Sequence, residues 1–231
     1  MMLGYYNDIN CFTDASVIND NGIYTCSAGY AIVSNGIIIE SNNRILYDAT
    51  NSYGELFAIY MGIKALSKYK YEKKIMNIFS DSRISIMGLR EWIFKWVVNF
   101  NNSTGSKGLI SYSGKEIANQ ELYTTIVDTI ISSGLPIGLY HILGHINPKH
   151  PLKVHKARTY FNKSNGQISI DDNIAYNLCY FNNYIDMMTR ERLKDVYYSN
   201  EFDKEIYKKK LFPLVQIPMD SDLEVYKELI S

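Results

Sequence analysis

Only three of the 231 residues are cysteine, and Cys11, Cys26 and Cys179 show no metal-ligand spacing. An odd count without paired spacing argues against a disulfide framework and fits a reduced, cytoplasmic setting. Net charge is missing as well: 24 Lys and Arg balance 24 Asp and Glu. No global field draws the chain to nucleic acid, so any such attraction must come from a local patch. No apolar run approaches the ~18 residues of a membrane-spanning helix. The opening Met-Met-Leu-Gly-Tyr-Tyr-Asn-Asp lacks the basic and apolar regions of a secretion signal. Internal repeats and low-complexity segments are absent, and no heptad pattern demands more than a monomer.

What is present describes an ordinary globular protein, 46% hydrophobic and 21% charged. Its length suits one well-cored domain with extras, or two small ones. The heavy use of tyrosine (20 residues) and asparagine fits an AT-rich genome, such as that of a low-GC bacterium or its phage. Residues 9–18, 24–33 and 37–47 read as strands joined by the turns Asn-Asp-Asn-Gly and Asn-Gly, which predicts an antiparallel meander. The period then changes. Leu56, Ile59, Ile63 and Leu66 recur at helical spacing from about Ser52 to Tyr69, with Asn51 or Ser52 able to cap. A strand at 75–80, helices at 82–97 and 119–132, a strand at 136–144 and a helix at 172–192 follow. The order predicts an α/β chain with a mixed sheet. Segment 145–170 shows no period, and the tail after about Arg192 carries both signs.

Within this pattern Asp14 is out of place, a carboxylate inside the apolar run Cys-Phe-Thr-Asp-Ala-Ser. Burying an ionised acid costs several kcal/mol unless a cation meets it. Either Asp14 points outward from a half-exposed strand or a cation waits for it. Three more acids border apolar stretches: Glu55 early in the first helix, Asp81 at the end of the fourth strand and Asp186 in the last helix. Taken singly, each reads as a solvated acid, and Asp81 before Ser82 could be a plain helix cap. Taken together, they could converge on one point. Clustered carboxylates need a counter-charge, and hard divalent cations such as Mg²⁺ prefer oxygen ligands.

A series of motifs, in order, resembles the type 1 ribonuclease H (ribonuclease HI) family. Phe-Thr-Asp-Ala-Ser resembles its first-strand aspartate motif. Ala-Thr-Asn-Ser-Tyr-Gly-Glu-Leu resembles its Thr-Asn…Glu-Leu helix opening, and Phe-Ser-Asp-Ser its fourth-strand Asp-Ser. Asn-Gln-Glu-Leu-Tyr resembles the start of a later helix. Ile-Leu-Gly-His-Ile resembles its Gly-His loop, and Asn182-x-x-x-Asp186 its last helix. The match spans about residues 9–194. It implies the ribonuclease-H-like fold, with a five-stranded mixed sheet flanked by helices, and cleavage of the RNA strand of RNA–DNA hybrids. By resemblance, Asp14, Glu55, Asp81 and Asp186 would hold two Mg²⁺ ions, with Mn²⁺ an alternative. Such a pair activates a water and steadies the leaving oxygen of a phosphodiester, leaving a 5′-phosphate. His145 would assist proton movement or product release. Ser16, Asn51 and Asn119 would contact the substrate, the last two on the RNA strand, although either asparagine could instead be a plain helix cap.

The chain also departs from the family pattern. Ala15 stands where Gly is usual, and Arg83 where Gln is usual. The 41-position step from His145 to Asp186 exceeds the usual connection, which implies an insertion at 146–170 before the last helix, and a C-terminal extension follows over 195–231. The insertion leaves Asp171 and Asp172 as rivals for the fourth acid, and His141, His150 and His155 as rivals for the histidine. From Thr129 to Ile170 there is no acidic residue, yet this span holds all four histidines together with Lys153, Lys156 and Arg158. That basic segment is expected to grip the substrate, since the loop the family usually employs holds only Lys107 and Lys115. Two other readings remain open: a nuclease of the same fold acting on DNA or a junction, and a non-catalytic nucleic-acid-binding module.

Overall fold

A computed structural model describes residues 1–72, 74–103, 108–198 and 217–230 of the chain. Lys107, one of the two lysines of the short basic loop, lies outside them, as does 199–216 of the expected C-terminal extension. Five strands form one mixed sheet in the order β3-β2-β1-β4-β5. β1 (Ile9–Asp20), β2 (Ile23–Ser34) and β3 (Ile37–Tyr47) are the expected antiparallel meander. Its tight turns carry Asn21-Gly22 and Asn35-Gly36, all four with positive φ, as two-residue hairpin loops require. β4 (Met76–Ser80) and β5 (Ile137–His141) add parallel to β1.

Both faces of the sheet are covered, each by its own apolar cluster. On one side lie α1 (Asn51–Leu66), the segment from α2 (Arg83–Met87) to α3 (Ile93–Asn101), and α4 (Gln120–Ser133). On the other lie α5 (Pro151–Ser164) and α6 (Asp172–Tyr198), packed on Phe12, Val33 and Phe79. Gly54 is what lets α1 approach so closely, because a Cβ there would collide with the Cys26 sulfur of β2. All three cysteines are buried and free.

Several local expectations change. The cap of α1 is Thr50, whose hydroxyl accepts from the Tyr53 amide, and not Asn51 or Ser52. The helix expected at 82–97 runs from 83 to 101 with a π turn at Gly88–Trp92, where Gly88 meets the Tyr123 ring. The aperiodic 145–170 segment contains α5, whose buried face is only Val154, Ala157 and Phe161. Three apolar positions among exposed ones are too few to produce a readable period. Near the C-terminus, α7 (Asp220–Ile230) buries Tyr226 on the α4 side, where its hydroxyl donates to the Leu89 carbonyl at 2.7 Å.

Candidate active site

The parallel register of β1 and β4 creates the site. Thr13 pairs with Ser80, so the next residues, Asp14 and Asp81, stand side by side where β4 ends. β1 continues to Asp20 with only β2 beside it. Its free edge opens a cleft at the carboxyl ends of the parallel strands, the place where open α/β sheets bind ligands. α1 brings Glu55 to the same point from the sheet's first face. α6 brings Asp186 from the other.

The cleft has a volume of about 410 Å³ and is lined by all four acids together with Ser16, Asn51, His145 and Arg190. Asp14 and Glu55 are buried, and oxygens of Asp14, Glu55 and Asp81 lie within 4.8 Å of one another. Glu55 Oε2 is buried without a hydrogen-bond partner. Such a crowd of carboxylates cannot all ionise. Burial, then Asp81 and Asp186, push the Asp14 carboxyl well above the ordinary range. Burial, then Asp14 and Asp81, do the same to Glu55, which the Asn51 side chain and the Ala15 backbone offset only in part. Burial also raises Asp81, against the Asn182 hydrogen bond and the nearby His145. Three converging oxygen donors, one of them orphaned, match what a hard divalent cation requires.

The fourth acid sits differently. Asp186 lines the cleft outside the tight triad, its carboxylate taken by Arg190 Nε at 2.8 Å and flanked by His145 Nδ1 at 3.6 Å. His145 itself is exposed and held at φ 54, a left-handed turn after Gly144. Gly144 has no room for a Cβ, which would strike the Asp81 carboxylate. None of the rival acids and histidines lines the cleft. Asp171 accepts from the Ile174 amide at the start of α6, and Asp172 pairs with Arg158 at 3.0 Å. His141 is buried, bonded to Tyr160 and to the Asp81 carbonyl, while His155 faces Arg158. His150 precedes α5 without a side-chain capping bond.

Not every expected substrate residue reaches the cleft. Asn119 starts α4 in a left-handed conformation, makes no side-chain cap and does not line the cleft. Neither do Lys153, Lys156 and Arg158, which belong to α5. Arg158 is engaged by Asp172, whereas Lys153 and Lys156 are exposed and form no ion pair among the described residues. The sequence motifs do not single out Arg190, which pairs with Asp186 one helical turn back. The i, i+4 spacing of acid and arginine is its available signal. Nor do they single out the bracing role of His141, whose ring supports the strand end that carries Asp81; no pattern marks that contact.

The crowded acids have a measurable consequence. Their folded-state pKa values exceed the unfolded ones, so the folded chain holds more protons. Stability therefore falls as pH rises from the ordinary carboxylate range through the raised values. A divalent cation would take the place of those protons. Melting temperatures in chelator should drop across that window and recover with Mg²⁺; a flat curve in chelator contradicts the crowding.

A model of the RNase H family matches residues 6–151. No curated protein matches the chain in sequence. Among solved structures, the PFV RNase H domain in solution superposes with a TM-score of 0.50 at 15% identity, covering 72% of this chain and 98% of that one. A chain of the foamy viral protease-reverse transcriptase in complex with dsDNA gives 0.48 at 18% identity, covering 71% and 96%. LC11-RNase H1 in complex with RNA/DNA hybrid gives 0.43 at 14% identity, covering 68% and 96%.

Proposed function

The chain belongs to the RNase H family of ribonuclease hydrolases, and from that premise we propose that it cuts the RNA strand of RNA–DNA hybrids. The observation that carries the reading is the triad of buried Asp14 and Glu55 with half-buried Asp81, together with the orphaned Glu55 oxygen. These three and Asp186 would hold two divalent cations, Mg²⁺ or Mn²⁺. When bound, such ions supply an activated water and neutralise charge on the scissile phosphate.

The chain's own residues do the rest. Ser16 and Asn51 line the cleft as hydrogen-bonding groups, able to meet sugar oxygens, and contact with a ribose 2′-OH is what separates RNA from DNA. Cleavage that leaves a 5′-phosphate releases a 3′ oxygen, which needs a proton. His145, exposed at the cleft beside Asp186, would hold or deliver that proton. His141 and Asn182 position Asp81 through its carbonyl and carboxylate. Lys153 and Lys156, exposed on α5, would meet backbone phosphates outside the cleft. Replacing both with Gln should lower the slope of log affinity against log salt by roughly one unit for each phosphate left unneutralised; an unchanged slope removes α5 from the interface.

The deciding experiment offers Mg²⁺ or Mn²⁺ with labelled hybrid, duplex DNA, duplex RNA and a four-way junction side by side. Cleavage of the RNA strand of the hybrid, with 5′-phosphate ends, is expected. Preferential cleavage of another substrate, or of none, overturns the reading.

A further inference from the structure

A second groove opens beside the cleft along α6 and shares His145, Asp186 and Arg190 with it. Its floor is unusual for the outer face of a helix. Tyr176, Tyr180 and Tyr184 follow one another at single-turn spacing, with Met187 next in line. Tyr176 and Tyr180 are 44% and 48% exposed, with ring planes 15° from parallel. In a tyrosine-rich chain an exposed tyrosine alone means little, and Tyr71 and Tyr112 are exposed too. The α6 tyrosines differ because they line one continuous channel that ends at the candidate active site.

We propose that this channel binds an unpaired nucleic-acid strand running off the end of the substrate duplex. The inference rests on the nuclease reading above and extends it. A duplex hides its base faces, whereas a single strand offers one π face per nucleotide to an aromatic ring. Successive turns of α6 present tyrosines about 6 Å apart, a row on which consecutive bases can stack. Lys149 lines it as a cation for the phosphates. The single acid lining the channel, Asp186, is already paired with Arg190. A peptide partner would find apolar faces here too, but the acid-free span that supplies Lys149 favours a polyanion.

The test measures binding of the wild-type chain, in Ca²⁺ to suppress turnover, to a blunt RNA–DNA hybrid and to the same hybrid carrying a six-nucleotide single-stranded overhang at either end of either strand. One overhang should tighten binding roughly ten- to hundredfold, the scale of one or two stacked bases. The double variant Tyr176→Ala/Tyr180→Ala should lose that gain while binding and cutting the blunt hybrid as before. Tyr176→Phe/Tyr180→Phe should keep it, since stacking does not need the hydroxyl. Equal wild-type affinity for blunt and overhung hybrids overturns the channel, as does an overhang gain that survives the alanine pair. Failure of the nuclease reading shows separately, as no cleavage of the blunt hybrid in Mg²⁺ by wild type.

Discussion

Asp14→Asn is expected to reduce hybrid cleavage by about a thousandfold or more and, in the same protein, to raise the melting temperature measured in chelator. The two effects have one cause. Asp14 is 5% exposed and stands against Glu55 and Asp81, with Asp186 across the cleft. Without a cation this is a buried acid among acids, and neutralising it relieves desolvation and repulsion together. With a cation bound, the same carboxylate would be one of its oxygen donors. Removing it forfeits several kcal/mol of charge stabilisation in the transition state, at ~1.4 kcal/mol per decade of rate. The gain in stability should be about 1 kcal/mol, or a few degrees for a chain of this length. Cleavage assays and melts in chelator, run on wild type and variant in parallel, check both. A variant that loses activity because it melts lower would contradict the account, since it would make Asp14 a structural acid.

Phe79→Ala should have the largest effect on stability, a loss of about 3–5 kcal/mol. Phe79 is fully buried on β4, two residues before Asp81. Its ring stacks on Phe12 at 5.1 Å and Tyr140 at 5.4 Å, and also meets Tyr5 and Phe161. These partners come from the N-terminal segment, two strands and α5, so one truncation leaves a cavity shared by several parts of the fold. At about 2–4 °C per kcal/mol, the melting temperature should drop by roughly 10 °C. Leu152→Ala, at an 86% exposed position on α5, is the matched control and should change little. Urea unfolding reads both. A Phe79→Ala loss below about 1 kcal/mol would mean that α5 is not seated on the sheet as described.

These two residues also mark how much the chain announces before it folds. Strand-like runs and Asn-Gly turns specified the meander, because an apolar strand and a hairpin turn are local demands that residues meet within a few positions of one another. The helical period of α1 was legible for the same reason. So was the oddity of Asp14, since a carboxylate in an apolar strand contradicts its immediate surroundings. Glu55, Asp81 and Asp186 stood out by bordering apolar stretches, and resemblance in ordered motifs tied all four acids to one site across most of the chain.

What local pattern could not supply was decided by packing between distant segments. α5 stayed hidden because its stability comes from Phe161 and Val154 docking on Phe79 and its neighbours, which leaves too thin an apolar stripe to read alone. Thr50 rather than Asn51 caps α1, a choice between adjacent polar residues that backbone geometry settles. The β1–β4 register set Asp14 beside Asp81, and no residue of either strand encodes that neighbour by itself. The partition of the four acids, three in a tight triad and Asp186 tied to Arg190, depends on where α6 crosses the sheet. The sequence by itself therefore determined which strands and most of which helices form, and which acids are anomalous. Only the tertiary structure decided which of those acids meet and which basic residues stay outside the cleft. Both depend on long-range burial, and the conformational entropy that those contacts cost is offset only once the whole core assembles.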